Sequence, residues 1–130
     1  MSQTVLHQFL TGATAGDAIT GQAFLIRDWL RDLGFRSEIF AQYVHDSVTP
    51  EVNSLANYKR ARDETWAIYH HSIGSDVPGF LSQQPLILLL IFHNITPAEY
   101  FTQVDPRWAA MARKGAAQLQ DLHGQTRMAL

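Results

Sequence analysis

The chain contains no cysteine. This excludes a disulfide framework and thiolate chemistry and fits a reducing compartment, so a cytoplasmic location is expected. The amino-terminal residues Met1-Ser2-Gln3-Thr4 lack the basic start and long apolar segment of a secretory signal. The longest apolar run is Leu86 to Phe92. A membrane-spanning helix needs about 20 such residues, so no transmembrane segment is expected. Charged residues make up only 17% of the chain, net charge is −2, and the two signs are interspersed. With no basic stripe, a nucleic-acid footprint is not expected. No acidic metal cluster and no Gly-x-Ser-x-Gly elbow occur, so neither a metal site nor a serine hydrolase is expected.

What is present suits a globular domain. The 130 residues are 46% hydrophobic, and a chain of this size buries roughly two-thirds of its unfolded surface. Val5 to Leu10 reads as a strand, followed by a small-residue loop from Thr11 to Ala18 in which Asp17 is a good helix N-cap. Ile19, Ala23, Ile26, Trp29, Leu30 and Leu33 recur at helical spacing as one apolar stripe, and Gly34 suits the helix end. Ser37 to Tyr43 reads as a second strand and Asn53 to Glu64 as a short polar helix with a solvated charged face.

A third strand covers Trp66 to His70, and Pro78 to Gln84 reads as a loop or one helical turn. Leu86 to Phe92 is apolar throughout, as expected of a central parallel strand covered on both faces. Thr96, Pro97 and Glu99 have the pattern of a helix start, and Trp108, Met111, Ala112, Gly115, Leu119 and Leu122 form the stripe of a last helix that Gly124 ends.

Strands alternating with helices predict a Rossmann-like α/β three-layer sandwich, with a mostly parallel sheet of about four strands and helices on both faces. Ligands in such sheets bind beyond the carboxyl ends of the strands. That rule gathers the loop around Gly16 and Asp17, the segment His70-His71-Ser72 and the segment His93-Asn94 at one rim. Adjacent strand residues point to opposite faces, so His70 and His71 cannot both serve one site in the same way. The glycines Gly12, Gly16 and Gly21 do not have the spacing of a dinucleotide fingerprint. Strand ends carrying histidines rather than clustered acids argue against receiver-type phosphoryl chemistry.

Three stretches resemble the amino-terminal domain of retaining glycosyltransferases of family 4, which have the GT-B fold. They are Gly16-Asp17-Ala18-Ile19 with Leu33-Gly34-Phe35-Arg36-Ser37-Glu38-Ile39, Ile68-Tyr69-His70-His71-Ser72-Ile73-Gly74-Ser75, and Phe92-His93-Asn94-Ile95-Thr96-Pro97 followed by Tyr100-Phe101. The resemblance implies two Rossmann-like domains facing a cleft, the amino-terminal one holding the sugar acceptor and a missing carboxyl-terminal one holding most of the nucleotide-sugar donor. It places Gly16, Asp17 and Ala18 near the donor diphosphate, where a helix amino terminus suits an anion, although a carboxylate of Asp17 capping that helix would oppose it.

The resemblance also makes His93 the catalytic candidate, hydrogen bonding to a sugar hydroxyl or to developing charge, with His70 and Asn94 as substrate-binding residues. It implies no metal and no cofactor beyond the nucleotide-sugar co-substrate.

The expectation is thus one domain over 1–130, incomplete at its carboxyl end and inactive alone, with self-association through an exposed edge. The alternative reading is a stand-alone α/β binding or interaction module without catalysis.

Overall fold

The computed structural model describes residues 3–93 and 106–130, apart from the side chains of Trp108, Ala109 and Ala112. Asn94 and the stretch from Thr96 to Phe101 named above lie outside the described residues. The fold is α/β, with a six-stranded, all-parallel sheet in the order β3-β2-β1-β4-β5-β6. Its strands are β1 (Leu6–Ala13), β2 (Ile39–Val44), β3 (Val52–Ser54), β4 (Trp66–His71), β5 (Ile87–Phe92) and β6 (Thr126–Ala129). Helix α1 (Ala18–Asp32) packs on one face, and α2 (Val77–Ser82) and α3 (Pro106–Asp121) pack on the other. Among the described residues no helix is long and apolar enough to cross a membrane.

Two strands exceed the expected four, and both are short edge strands. β3 replaces the start of the expected helix over Asn53 to Glu64, because Asn53 pairs in register with Phe40. Beyond it the chain makes one 3-10 turn (Leu55–Asn57) and sends the Tyr58 ring into the core against Phe9 and Phe40. Glu64 is buried rather than solvated, because Tyr58 Oη donates to it at 2.7 Å and Ala61 N at 3.1 Å. β6 forms from a tail too polar and short to announce itself, paired along β5. β1 likewise runs further than expected. Gly12 and Ala13 pair with Tyr43 and Val44, so the small-residue segment begins as strand.

Helix α1 starts and stops as its sequence indicates. The Asp17 carboxylate accepts from Thr20 N at 2.9 Å. At the other end Gly34 takes φ +97°, with Gly34 N donating to Arg31 O and Phe35 N to Leu30 O, the paired bonds of a Schellman motif.

The buried stripe of α1 is rotated from the expected one, however. Thr20, Ala23 and Arg27 face the sheet, while Trp29 is 58% and Leu33 75% exposed. Arg27 is tolerated there because its guanidinium lies 4.8 Å over the Phe24 ring and pairs with Asp28 at 3.1 Å and Glu51 at 3.9 Å. In α3, Gly115 is buried, Leu119 is half-buried and Met111 is exposed, and Leu122 just past its end is buried.

Candidate functional site

β1 has β2 on one side and β4 on the other. The chain leaves β1 toward α1 on one face and leaves β4 toward α2 on the opposite face, which opens a crevice at the carboxyl ends of the two strands. A cavity of about 760 Å³ occupies it, and its walls include Thr11, Thr14 and Asp17 from the first strand and loop, His45 after β2 and Ser72 after β4.

The loop is held from both sides. Gly16 takes φ +83°, which lets the chain turn into α1. Thr20 Oγ1 accepts from Thr14 N at 3.2 Å and donates to the Asp17 carboxylate at 2.9 Å. Ser47 Oγ accepts from Ala15 N at 3.0 Å and lies 2.8 Å from His45 Nδ1. The far wall is also tied. Gln42 exchanges two hydrogen bonds of 2.9 Å with Asp76, and Thr11 Oγ1 donates to Ser75 Oγ at 3.0 Å. Gln118 of α3 clamps the Ser75 backbone through both of its amide atoms. Gly115 permits this approach, since a Cβ there would sit 2.9 Å from Gly74 N and 3.1 Å from Ser72 O.

Beside the cavity two histidines from separate segments meet. His70 Nδ1 is 3.0 Å from His93 Nε2, and the rings are 18° from parallel. His70 Nε2 is 2.7 Å from Gln8 Oε1, and Gln8 Nε2 donates to Ala23 O at 2.9 Å. A polar line therefore runs from the α1 backbone through β1 and β4 to the end of β5. His70 is 1% exposed, and burial, with the neighbouring His93 adding to it, pushes its pKa down to about 3. Burial also lowers His93, against the opposing pull of the Asp17 carboxylate. Both rings are therefore neutral at neutral pH.

His71 points to the other face, as strand alternation requires. Its Nε2 donates to Gly115 O at 2.7 Å, tying β4 to α3, and burial lowers its pKa more than that bond raises it. Burial pushes the adjacent Tyr69 hydroxyl up to about 12.

The structure thus joins His70 and His93 directly and puts Asp17 in the cavity wall. Gly16 and Ala18 are exposed at the α1 start. His93 stands beside the cavity, not among the residues that line it. The Asp17 carboxylate occupies the helix amino terminus. An anion approaching Gly16 to Ala18 meets a carboxylate there, and no Lys or Arg is among the described residues lining the cavity.

Sequence reasoning missed Gln8, whose signal was an amide in the middle of an apolar strand, and the pair His45 and Ser47, which no motif marks. Among the described residues no cluster of three potential metal ligands exists. No protein-family model matches the chain, and neither a curated protein nor a solved structure matches it.

Proposed function

We propose that this chain is the sugar-acceptor-side α/β domain of a nucleotide-sugar glycosyltransferase, working against a second domain that carries the donor. The observation that carries this reading is the neutral His70–His93 pair at the carboxyl rim, next to a switch-point cavity whose described walls hold hydroxyl, imidazole and carboxylate groups but no Lys or Arg. Hydrogen-bonding groups without a Lys or Arg among them suit a polyhydroxyl ligand in this crevice. A diphosphate would call for cations or a free helix amino terminus. In the reaction a sugar passes from a nucleotide-sugar to a hydroxyl of the sugar acceptor with retained stereochemistry. His93 accepts a hydrogen bond from a sugar hydroxyl, Asn94 next to it in sequence is a further substrate-binding candidate, and Asp17 orders the loop that borders the cavity. The apolar surface that the described residues leave exposed on the α1 side leads the isolated chain to associate with a second copy.

The test is an amide-shift titration of the isolated chain with uncharged sugars and, separately, with UDP- and GDP-sugars. Shifts confined to Thr14, His45, Ser72 and His93 with at least one uncharged sugar are expected, with weaker ones for the nucleotide-sugars. A folded sample in which no sugar moves these residues would overturn the reading and leave a non-catalytic interaction module.

A further inference from the structure

The Ala23 carbonyl is where the polar line begins, and it decides every proton along it. A carbonyl oxygen only accepts, so the Gln8 atom facing it at 2.9 Å is the amide nitrogen. The Gln8 oxygen then faces His70 Nε2 at 2.7 Å, and because that oxygen only accepts, the proton sits on His70 Nε2. A neutral imidazole carries one proton, so His70 Nδ1 is bare. Two bare nitrogens do not bond at 3.0 Å, so His93 Nε2 carries a proton and donates it. His93 Nδ1 is then the remaining lone pair, and among the described residues nothing donates to it.

We propose that Gln8 and His70 are positioning residues that hold His93 as its Nε2–H tautomer and so present His93 Nδ1 as a hydrogen-bond acceptor for a ligand hydroxyl. The choice excludes as well as admits. A hydroxyl hydrogen finds a lone pair at Nδ1, whereas a bare phosphate oxygen finds lone-pair repulsion there and the field of the Asp17 carboxylate, which also acts on His93. The relay also explains an amide and a histidine in the interior of neighbouring strands. Gln8 and His70 are both buried on the α1 face of the sheet, where apolar side chains would pack without leaving any polar group to satisfy. The tautomer follows from the hydrogen bonds together with the neutral, buried state of His70. That its free nitrogen meets a sugar rests on the functional reading above.

The experiment is a long-range proton–nitrogen spectrum of the imidazole rings in the isotope-labelled chain at neutral pH, first without ligand. Both His70 and His93 are expected as neutral Nε2–H rings. Gln8→Leu removes the fixed hydrogen-bond acceptor and should convert His93 to a mixture with comparable amounts of both tautomers. An Nδ1–H or averaged His93 in the unmodified chain overturns the proposal even if no variant folds, and so does an unchanged spectrum in folded Gln8→Leu. Glucose, galactose and mannose are then added. A shift of His93 Nδ1 with one of them, weakened several-fold in Gln8→Leu, supports the ligand-facing role. A fixed tautomer that no sugar perturbs overturns that role while leaving the proton relay in place.

Discussion

The two faces of the sheet are built to different standards. On the α2–α3 face, Phe9, Phe40, Tyr58, Tyr69, Leu81, Leu88, Leu90 and Leu122 form one closed cluster, with aromatic rings meeting edge to face at 5.0 Å between Phe9 and Tyr58 and 5.8 Å between Tyr58 and Phe80. On the α1 face the cluster around Leu10, Ala23, Ile39 and Ala41 is made of smaller side chains. The Gln8–His70–His93 line runs through that face, and Ile87, Leu89 and Ile91 of β5 remain half-buried there. One face provides stability through dense packing. The other gives up packing for a polar line that reaches the rim and for apolar surface left open. All-parallel sheets are ordinarily covered on both faces, and among the described residues the α1 face is the less covered of the two.

Truncation on each face measures that difference most strongly. Phe9 and Leu10 are both fully buried neighbours on β1. Phe9→Ala is expected to cost about 3–5 kcal/mol in denaturant unfolding, and Leu10→Ala about 2 kcal/mol, because the smaller cluster has a less rigid surround and collapses further into the gap. Equal losses would break the comparison.

Acid reads the polar line next. His70 has a folded pKa of about 3, below its unfolded value of 6.5. As pH falls through the unfolded value, the unfolded chain takes up a proton that the folded chain refuses, so stability drops. Between neutral pH and pH 5 the loss from His70 alone is about 2 kcal/mol, and it levels off only near the folded pKa. His7, His71 and His93, also lowered by burial, add in the same direction. Urea midpoints measured across this range should fall steadily, and His70→Gln should flatten the slope. A slope unchanged in that variant would remove His70 as its source.

The helix cap gives a smaller effect. Asp17→Ala loses the bonds to Thr20 N and Oγ1, for about 1 kcal/mol. It also frees the amino terminus of α1, so UDP-sugar affinity should rise while thermal stability falls. Unchanged nucleotide-sugar binding would show that the carboxylate is not what repels the anion.

The smallest change in folding stability is expected on the open flank. Leu25, Trp29 and Leu33 lie four residues apart along exposed α1. The double variant Trp29→Gln, Leu33→Gln should alter folding by no more than about 0.5 kcal/mol, yet shift the sedimentation profile of the isolated chain from associated species to monomer. A clean monomer in the unmodified chain at high concentration sinks the self-association.

How much of this was legible in sequence follows from how local each cause is. The cap at Asp17, the stop at Gly34, the continuous run of β5 and the rim position of His70 and His93 all depend on neighbours within a turn or a strand. Each therefore showed in a short window. The buried Arg27 and exposed Trp29 did not, because two helical stripes one residue apart are both plausible until the sheet selects one. Arg27 could be selected only because Phe24 and Glu51 arrive to receive it. β3, β6 and the inward turn of Tyr58 and Glu64 are likewise set by partners distant in the chain.

The sequence by itself determined the fold class, the polarity of the rim and the histidines placed there, since hydrophobic periodicity and strand order imply a parallel sheet with its crevice at the carboxyl ends. Only the tertiary structure decided which nitrogen of which histidine carries a proton. That choice depends on a backbone carbonyl of α1 meeting an amide of β1 and a ring of β4, three groups that only the packed fold brings within hydrogen-bonding distance.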